Sequence, residues 1–196
     1  MNQIANDLRL NDRGVDHHTG PAGWPYCRQN TGDELRRACA RRNKSGEIIM
    51  TNEQIKLVQD SFRQVSPISE TAAQLFYARL FELDPDLELL FKGNLTEQGR
   101  KLMQMLGLAV SSLDRMEQLL PVVRSLGTRH VGYGVRDKDY DTVGRALLWT
   151  LRKGLGEAFT PDVEAAWSNV YATLASEMQS GAETSVEAVG ALAERI

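Results

Sequence analysis

The sequence predicts an all-α protein with one main domain. Between residues 51 and 179 apolar side chains recur every three or four positions, which is the period of a helix with one buried face. No stretch alternates polar and apolar residues as a half-buried strand does. The chain has 196 residues, of which 42% are hydrophobic, so it can bury one sizeable core. We therefore expect about seven helices that pack as a bundle or a helical sandwich.

The first helix begins at a capping box, in which Thr51 and Gln54 satisfy each other's backbone N–H groups. Pro67 ends this helix, because proline lacks the N–H group that a helix interior needs. A second helix is expected from near Ser69 to the break at Pro85.

A short helical turn and a loop over residues 86–96 lead to a third long helix over residues 97–110. The next helix carries His130, and Gly132 and Gly134 close it.

A further helix is expected from Lys138 to Gly154. The last one opens with Thr160 as its cap and Pro161 in its first turn. Its expected buried stripe consists of Val163, Trp167, Val170, Tyr171, Leu174 and Met178.

Charge divides the chain into two parts. Residues 1–49 carry eight Lys/Arg and six Asp/Glu, a net charge of +2, while the whole chain has a net charge of −3. This segment shows no sustained period, and we expect an N-terminal extension that is mostly disordered. Its basic run over residues 36–44 could form a short helix. Separately, translation could start at Met50, in which case residues 1–49 would not be part of the protein. We expect the main domain over residues 50–180 and a weakly helical tail over residues 181–196.

Composition narrows the possible functions and locations. The negative net charge predicts no nucleic-acid partner, and no apolar run approaches the roughly 18 residues of a membrane span. The N-terminus lacks the apolar core of a secretion signal. Cys27 and Cys39 do not have the spacing of a zinc site. We expect a soluble, cytoplasmic protein that does not contact membranes.

His130 is the first candidate for a functional residue. It is the only histidine between residues 51 and 196, and Val123, Leu126 and Gly127 lie one and two turns earlier on or beside the same face. A neutral imidazole is a good ligand for iron, but a lone histidine on an apolar face is more often a hydrogen-bonded core residue.

The sequence lacks the motifs of other common metal-binding and catalytic sites. Asp137 to Asp141 imitates the opening of a calcium loop, but Thr142 stands where glycine is needed and Leu148 where a bidentate glutamate is needed. The sequence has no glycine-rich phosphate loop, nucleophile elbow or Cys/His cluster. No catalytic residue is assigned.

The order and spacing of several residues resemble those of a globin. The similar segments cover residues 125–135, 140–144 and 158–171, and the resemblance runs from residue 51 to about residue 179 without a large gap. Within the globins, the sequence is similar to bacterial single-domain haemoglobins of the flavohaemoglobin lineage and to neuroglobin. The matching single residues are Tyr77, Pro85, Phe91, Gln98, Leu102 and His130.

The resemblance implies a globin fold around a haem pocket that holds haem b. His130 would be the iron ligand, and Phe91 would wedge the haem plane. Tyr77, Gln98 and Leu102 would line the pocket for O₂ and other diatomic gases such as CO and NO. The residues that the resemblance places against the haem are His130, Phe91, Leu102, Leu126, Val135 and Tyr140.

Two alternatives concern the residues that would face the gas. A phenol O–H and an amide N–H both donate to bound O₂, which carries partial negative charge, and CO gains less. Tyr77 could instead be a core tyrosine bonded to a carbonyl, and Gln98 could turn to solvent. Because neuroglobin has a histidine at the position of Gln98, the resemblance predicts an open sixth position on ferrous iron here.

A second departure lies on the histidine side. Some bacterial members orient the histidine through a tyrosine and a glutamate. Tyr140 matches the tyrosine, but the glutamate position falls at Ala182, with Glu183 adjacent. This places a peroxidase-like role in doubt.

The leading functional expectation is reversible O₂ binding, for transport, storage or scavenging. The alternative is a nitric oxide dioxygenase that uses a separate reductase, since the sequence has no dinucleotide motif. A gas or redox sensor and a haem-free interaction module are further alternatives.

Overall fold

The structure, a computed structural model, describes residues 50–193. The expectations for residues 1–49, including the disordered extension, the short basic helix and the alternative start, lie outside the described residues.

Six α-helices make up most of the described chain, and the all-α prediction is confirmed. They are α1 (Asn52–Val65), α2 (Ser69–Leu83), α3 (Leu95–Ser111), α4 (Met116–Gly132), α5 (Asp137–Leu155) and α6 (Pro161–Ala193). Short 3₁₀ segments follow α1, α2, α3 and α5, at Ser66–Ile68, Pro85–Leu90, Leu113–Arg115 and Gly156–Ala158. The expected short helical turn after α2 is thus a 3₁₀ segment. No strand occurs between residues 50 and 193.

Several helix ends follow the local sequence. The capping box of Thr51 and Gln54 is present at α1. Gly134, just after α4, has a φ of 84°, and the Thr160 hydroxyl accepts a hydrogen bond from the backbone N–H of Val163 in α6. Because glycine has no Cβ, it adopts the left-handed backbone at the end of α4 without strain.

The boundaries of α3 and α5 differ from the prediction. Helix α3 begins two residues earlier than expected, because the Asn94 side chain accepts hydrogen bonds from the backbone N–H groups of Thr96 and Glu97. Helix α5 continues past Gly154 and ends at Leu155, and Gly156 is the residue with positive φ, at 54°.

The expectation of a weakly helical tail after residue 180 was wrong, since α6 continues to Ala193. Gly181 does not end this helix. A Cβ at Gly181 would lie 2.2 Å from the carbonyl oxygen of Arg124, so the glycine allows α6 to approach α4 closely. A helix-interior glycine is therefore a packing residue here rather than a stop signal.

The core lies where α1, α2, α5 and α6 meet. Helix α2 packs against α3 and α5, and α4 packs mainly against α6. Trp167 of α6 is the largest fully buried side chain among the described residues, and its indole N–H donates to the Ser61 hydroxyl of α1 over 2.9 Å. These contacts fix the positions of α2, α3 and α4, which carry the candidate site. No helix in the described range is both long and apolar enough to cross a membrane.

Candidate functional site

His130 lies near the carboxyl end of α4 with a half-buried side chain. Its Nδ1 atom is 2.8 Å from the carbonyl oxygen of Leu126, one turn earlier. Because a carbonyl oxygen can only accept a hydrogen bond, Nδ1 carries the proton. With the proton on Nδ1, the neutral form of the ring has its lone pair on Nε2, and this is the form of imidazole that binds a metal.

Tyr140 of α5 flanks the imidazole. The two rings are nearly parallel, with centroids 6.5 Å apart and planes at 24°. The backbone carbonyl of Tyr140 accepts a hydrogen bond from the Tyr171 hydroxyl of α6. A Cβ at Gly144 would lie only 2.6 Å from the Tyr171 ring, so this glycine leaves room for that ring. Helices α5 and α6 together hold the tyrosine beside His130.

The turn between α4 and α5 is also fixed from both sides. The backbone N–H of Val135 donates to the carbonyl oxygen of His130 over 3.2 Å. Asp139, which is 1% exposed, accepts a hydrogen bond from the backbone N–H of Arg136 over 2.8 Å. The guanidinium of Arg136 lies 3.3 Å from the same carboxylate. Val135 is thereby held next to the end of the histidine helix.

Helix α4 crosses α6 with almost no space between the two backbones. A Cβ at Gly127 would lie 1.9 Å from the carbonyl oxygen of Met178. The Thr128 hydroxyl donates across the crossing to the carbonyl oxygen of Gly181 over 3.0 Å. Gly127 and Thr128 precede His130 by less than one helical turn. The crossing therefore fixes the distance of His130 from α6.

Tyr77 lies in the middle of α2 and is 8% exposed. Its ring meets the Phe91 ring edge to face, with centroids 5.2 Å apart, and Phe81 lies 5.9 Å away. Burial raises the pKa of the phenol, so the hydroxyl stays protonated and able to donate. Between residues 50 and 183 no carbonyl or other group forms a hydrogen bond with this hydroxyl, so the structure does not provide the carbonyl partner that a core tyrosine would need.

Helix α3 passes close to Tyr77. A Cβ at Gly99 would lie 2.9 Å from the Cβ of Ala73 and 4.0 Å from the Tyr77 ring, so glycine permits the crossing of α2 and α3. Gln98 and Leu102 flank this crossing on α3, and both are half-buried. Leu102 packs against the core, and the Gln98 side chain makes no hydrogen bond with the described residues.

The structure thus groups the expected site residues in two sets. His130, Leu126, Val135 and Tyr140 are linked through hydrogen bonds and ring contacts at the α4–α5 corner. The other set lies on α2, α3 and the segment between them, and consists of Tyr77, Phe91, Gln98 and Leu102.

The carboxylate that would tune the histidine through Tyr140 is not in place. Glu183 is exposed, and no carboxylate among residues 50–183 forms a hydrogen bond with the Tyr140 hydroxyl. The pKa of Tyr140 is raised, first by burial and then by the negative charge of Asp137.

The close helix contacts at Gly99, Gly144 and Gly181 are not predicted from the sequence. Tyr171 is expected to be buried, but its hydrogen bond to the Tyr140 carbonyl is not predicted. Glycines inside predicted helices were the available signal, since a helix-interior glycine often marks a close approach. The described residues contain no group of three or more His, Cys, Asp and Glu side chains that could hold a metal ion. A single imidazole nitrogen beside apolar side chains fits a prosthetic group that supplies the other metal ligands itself.

The chain is similar to known proteins. The chain is 30% identical over 132 residues to a flavohemoprotein of Bacillus subtilis (strain 168), a match that covers 65% of this chain and 33% of that protein. It is 29% identical over 140 residues to the neuroglobins of Tetraodon nigroviridis and Chaenocephalus aceratus, covering 64% of this chain and 88% of each neuroglobin. The chain therefore spans about a third of the flavohemoprotein. A family model described as globin matches residues 74–178, which is more than half of the chain, and the chain belongs to the globin family.

Proposed function

We propose that this protein binds O₂ reversibly at a haem b held by His130. The observation that carries the proposal is the hydrogen bond from His130 Nδ1 to the Leu126 carbonyl, because it leaves Nε2 free to bind iron. Membership of the globin family, with flavohemoprotein and neuroglobin relatives, supports haem-based gas binding.

The residues on the histidine side hold the imidazole in one orientation. Ferrous haem, when bound, supplies an iron atom that takes one protein nitrogen and one diatomic gas. Leu126 fixes the imidazole tautomer through its carbonyl, and Tyr140 restricts rotation of the ring through the stacked contact. Phe91, Leu102 and Val135 supply apolar contacts that keep water away from the prosthetic group.

Tyr77 and Gln98 provide hydrogen-bond donors for the gas. The phenol of Tyr77 is kept protonated by burial, and its hydroxyl is free of partners among the described residues. The amide of Gln98 supplies a second N–H group. Both favour O₂ over CO, because O₂ is the more polarised ligand. Glutamine is also a poor iron ligand, so Gln98 would not compete with the gas for the iron.

The second candidate is a nitric oxide dioxygenase. The same two donors would hold O₂ for reaction with nitric oxide, and the iron would then need an electron from a separate reductase. The similarity to a flavohemoprotein favours this candidate over a sensor. Rapid reduction of the ferric protein by cell extract, together with nitric oxide consumption, would support the enzyme over the carrier.

The absorption spectrum of the purified protein, ferric and then reduced with dithionite, tests the proposal. We expect a Soret band and a broad five-coordinate ferrous spectrum that sharpens under CO. His130→Ala removes the only nitrogen ligand that we assign, so the iron–histidine signature is lost. The matched control replaces both other histidines of the chain, His17 and His18, with alanine. We expect this control to have the wild-type spectrum.

Two results would contradict the proposal. A six-coordinate ferrous spectrum without added gas would mean that a protein side chain closes the gas position. Failure to bind haem after reconstitution would remove both candidate functions.

A further inference from the structure

A groove of about 750 Å³ lies between α2 and α3, bordered at one end by α1. Gln98, Leu102, Phe91 and His130 do not line it, so it is separate from most of the proposed gas site. Two close contacts brace the groove. The first is between Gly99 and Ala73, and the second is between Gly107 and Phe62, where a Cβ on the glycine would lie 3.3 Å from the ring.

The floor of the groove is apolar and aromatic. Residues four positions apart share one face of a helix, and two such rows face each other here. On α2 the row is Ala73, Tyr77 and Phe81, and on α3 it is Gly99, Met103 and Gly107. The small residues keep the floor deep, while the rings of Tyr77 and Phe81 and the Met103 thioether supply contact surface.

The rims of the groove are polar and carry two charges. Glu70 and Gln74 line the α2 side, and Arg100 and Gln104 line the α3 side. Neither Glu70 nor Arg100 forms an ion pair with any residue between 50 and 183. Glu70 lies in the first turn of α2, where the partial positive charge of the helix N-terminus offsets its own charge. One guanidinium and the partial positive charge of this helix end thus stand against one carboxylate, so the balance of charge at the rims is positive.

We propose that this groove binds an aromatic organic anion. The aromatic body lies against Tyr77, Phe81 and Met103, and the anionic group binds the guanidinium of Arg100. The volume of the groove is within the range of roughly 300 to 1,000 Å³ that is usual for small-molecule sites. Because the Tyr77 ring borders both the groove and the proposed gas site, an occupant would also contact a residue that holds gas. Binding in the groove does not itself depend on haem.

Isothermal titration calorimetry of the purified full chain with 1-naphthalenesulfonate tests this site. We expect one binding site per chain. Arg100→Gln weakens binding about tenfold, since a charge-assisted hydrogen bond is lost. Glu70→Gln leaves binding equal or tighter, since a like charge is removed. The control Arg145→Gln makes the same change in net charge at an exposed position on α5 and leaves binding unchanged.

Ala78→Trp provides a steric test, because Ala78 is exposed and lines the groove. The added indole fills the space, and binding is lost while the chain stays folded by circular dichroism. Unchanged binding in this variant, or equal weakening by Arg100→Gln and Arg145→Gln, would overturn the proposal. Weaker binding in Glu70→Gln would also overturn it, since the occupant would then be a cation. A normal haem spectrum without calorimetric binding would overturn the groove site alone.

Discussion

The Nδ1 atom of His130 lies 2.8 Å from the carbonyl oxygen of Leu126, one turn earlier in the same helix. The contact is local to α4, since its two residues lie one turn apart, and it selects one tautomer of the imidazole. Two rings also flank the imidazole. Tyr133, in the turn after α4, has its ring centroid 6.2 Å away, and Tyr140 comes from α5 and depends on tertiary packing. The orientation of the proposed iron ligand therefore has both local and long-range determinants.

Tyr77→Phe removes the hydrogen-bond donor that we assign to the gas site. One hydrogen bond contributes about 1 kcal/mol, and about 1.4 kcal/mol corresponds to tenfold in a rate. We therefore expect O₂ to dissociate roughly five- to tenfold faster from the variant, as measured by stopped-flow exchange against CO. The dissociation of CO serves as the internal control and changes less. Equal acceleration for both gases would mean that the variant alters access rather than hydrogen bonding.

The helix boundaries that the sequence predicted well are those controlled by neighbouring residues. The capping box of Thr51 and the caps at Thr160 and Gly134 act within a few residues of the chain, so their effects can be predicted without knowing the fold. Gly154 does not end α5, and the expected weakly helical tail from Gly181 is part of α6. Their roles depend on other helices, since Gly181 contacts Arg124 and a Cβ at Gly154 would meet Ile68 and Val65 at 3.5 and 3.8 Å.

The candidate site also combines a residue that the sequence points to with contacts that only the packed fold creates. His130 is a candidate from the sequence because it is the only histidine after residue 50. Its assignment as a ligand depends on the family resemblance. The hydrogen bond from Tyr171 to the Tyr140 carbonyl joins residues 31 positions apart. No periodicity or spacing within the sequence reports such a contact, because it depends on how α5 and α6 pack. That the Tyr77 hydroxyl has no hydrogen-bond partner among residues 50–183 likewise follows only from the packed structure.

Gly127→Ala tests the crossing of α4 and α6. The added Cβ would lie 1.9 Å from the Met178 carbonyl oxygen, so the helices must move apart. We expect the free energy of unfolding to fall by about 2 kcal/mol or more, as measured by urea denaturation. Gly132→Ala is the matched control on the same helix, since nothing lies within 4 Å of its added Cβ. The control is expected to be neutral or slightly stabilising. Similar losses in both variants would contradict a steric role for Gly127.

The raised pKa of Tyr171 predicts that the free energy of unfolding depends on pH in the alkaline range. Burial, and then the charges of Asp141 and Tyr140, raise the pKa of this phenol far above its usual value of about 10. Above pH 10 the unfolded chain loses the proton while the folded chain keeps it, so stability falls as pH rises. Between pH 9 and 11 we expect the wild type to lose about 1 kcal/mol more than Tyr171→Phe in urea titrations.

Tyr133→Phe is the control for that measurement, because Tyr133 is 66% exposed. It is expected to follow the wild-type pH dependence. If Tyr171→Phe loses stability between pH 9 and 11 as steeply as the wild type, Tyr171 is not the group that couples folding to alkaline pH.

Ser61→Ala tests the buried hydrogen bond between α1 and α6. The Ser61 hydroxyl, 3% exposed, is the acceptor for the indole N–H of Trp167, which is 1% exposed. Alanine leaves this N–H without an acceptor in the core, at a cost of about 1 to 3 kcal/mol in unfolding free energy. Ser111→Ala, an exposed change on α3, is the control and is expected to differ little from the wild type. Urea denaturation followed by circular dichroism measures both. A wild-type midpoint for Ser61→Ala would mean that water enters and replaces the hydroxyl, so that the α1–α6 contact depends on apolar packing alone.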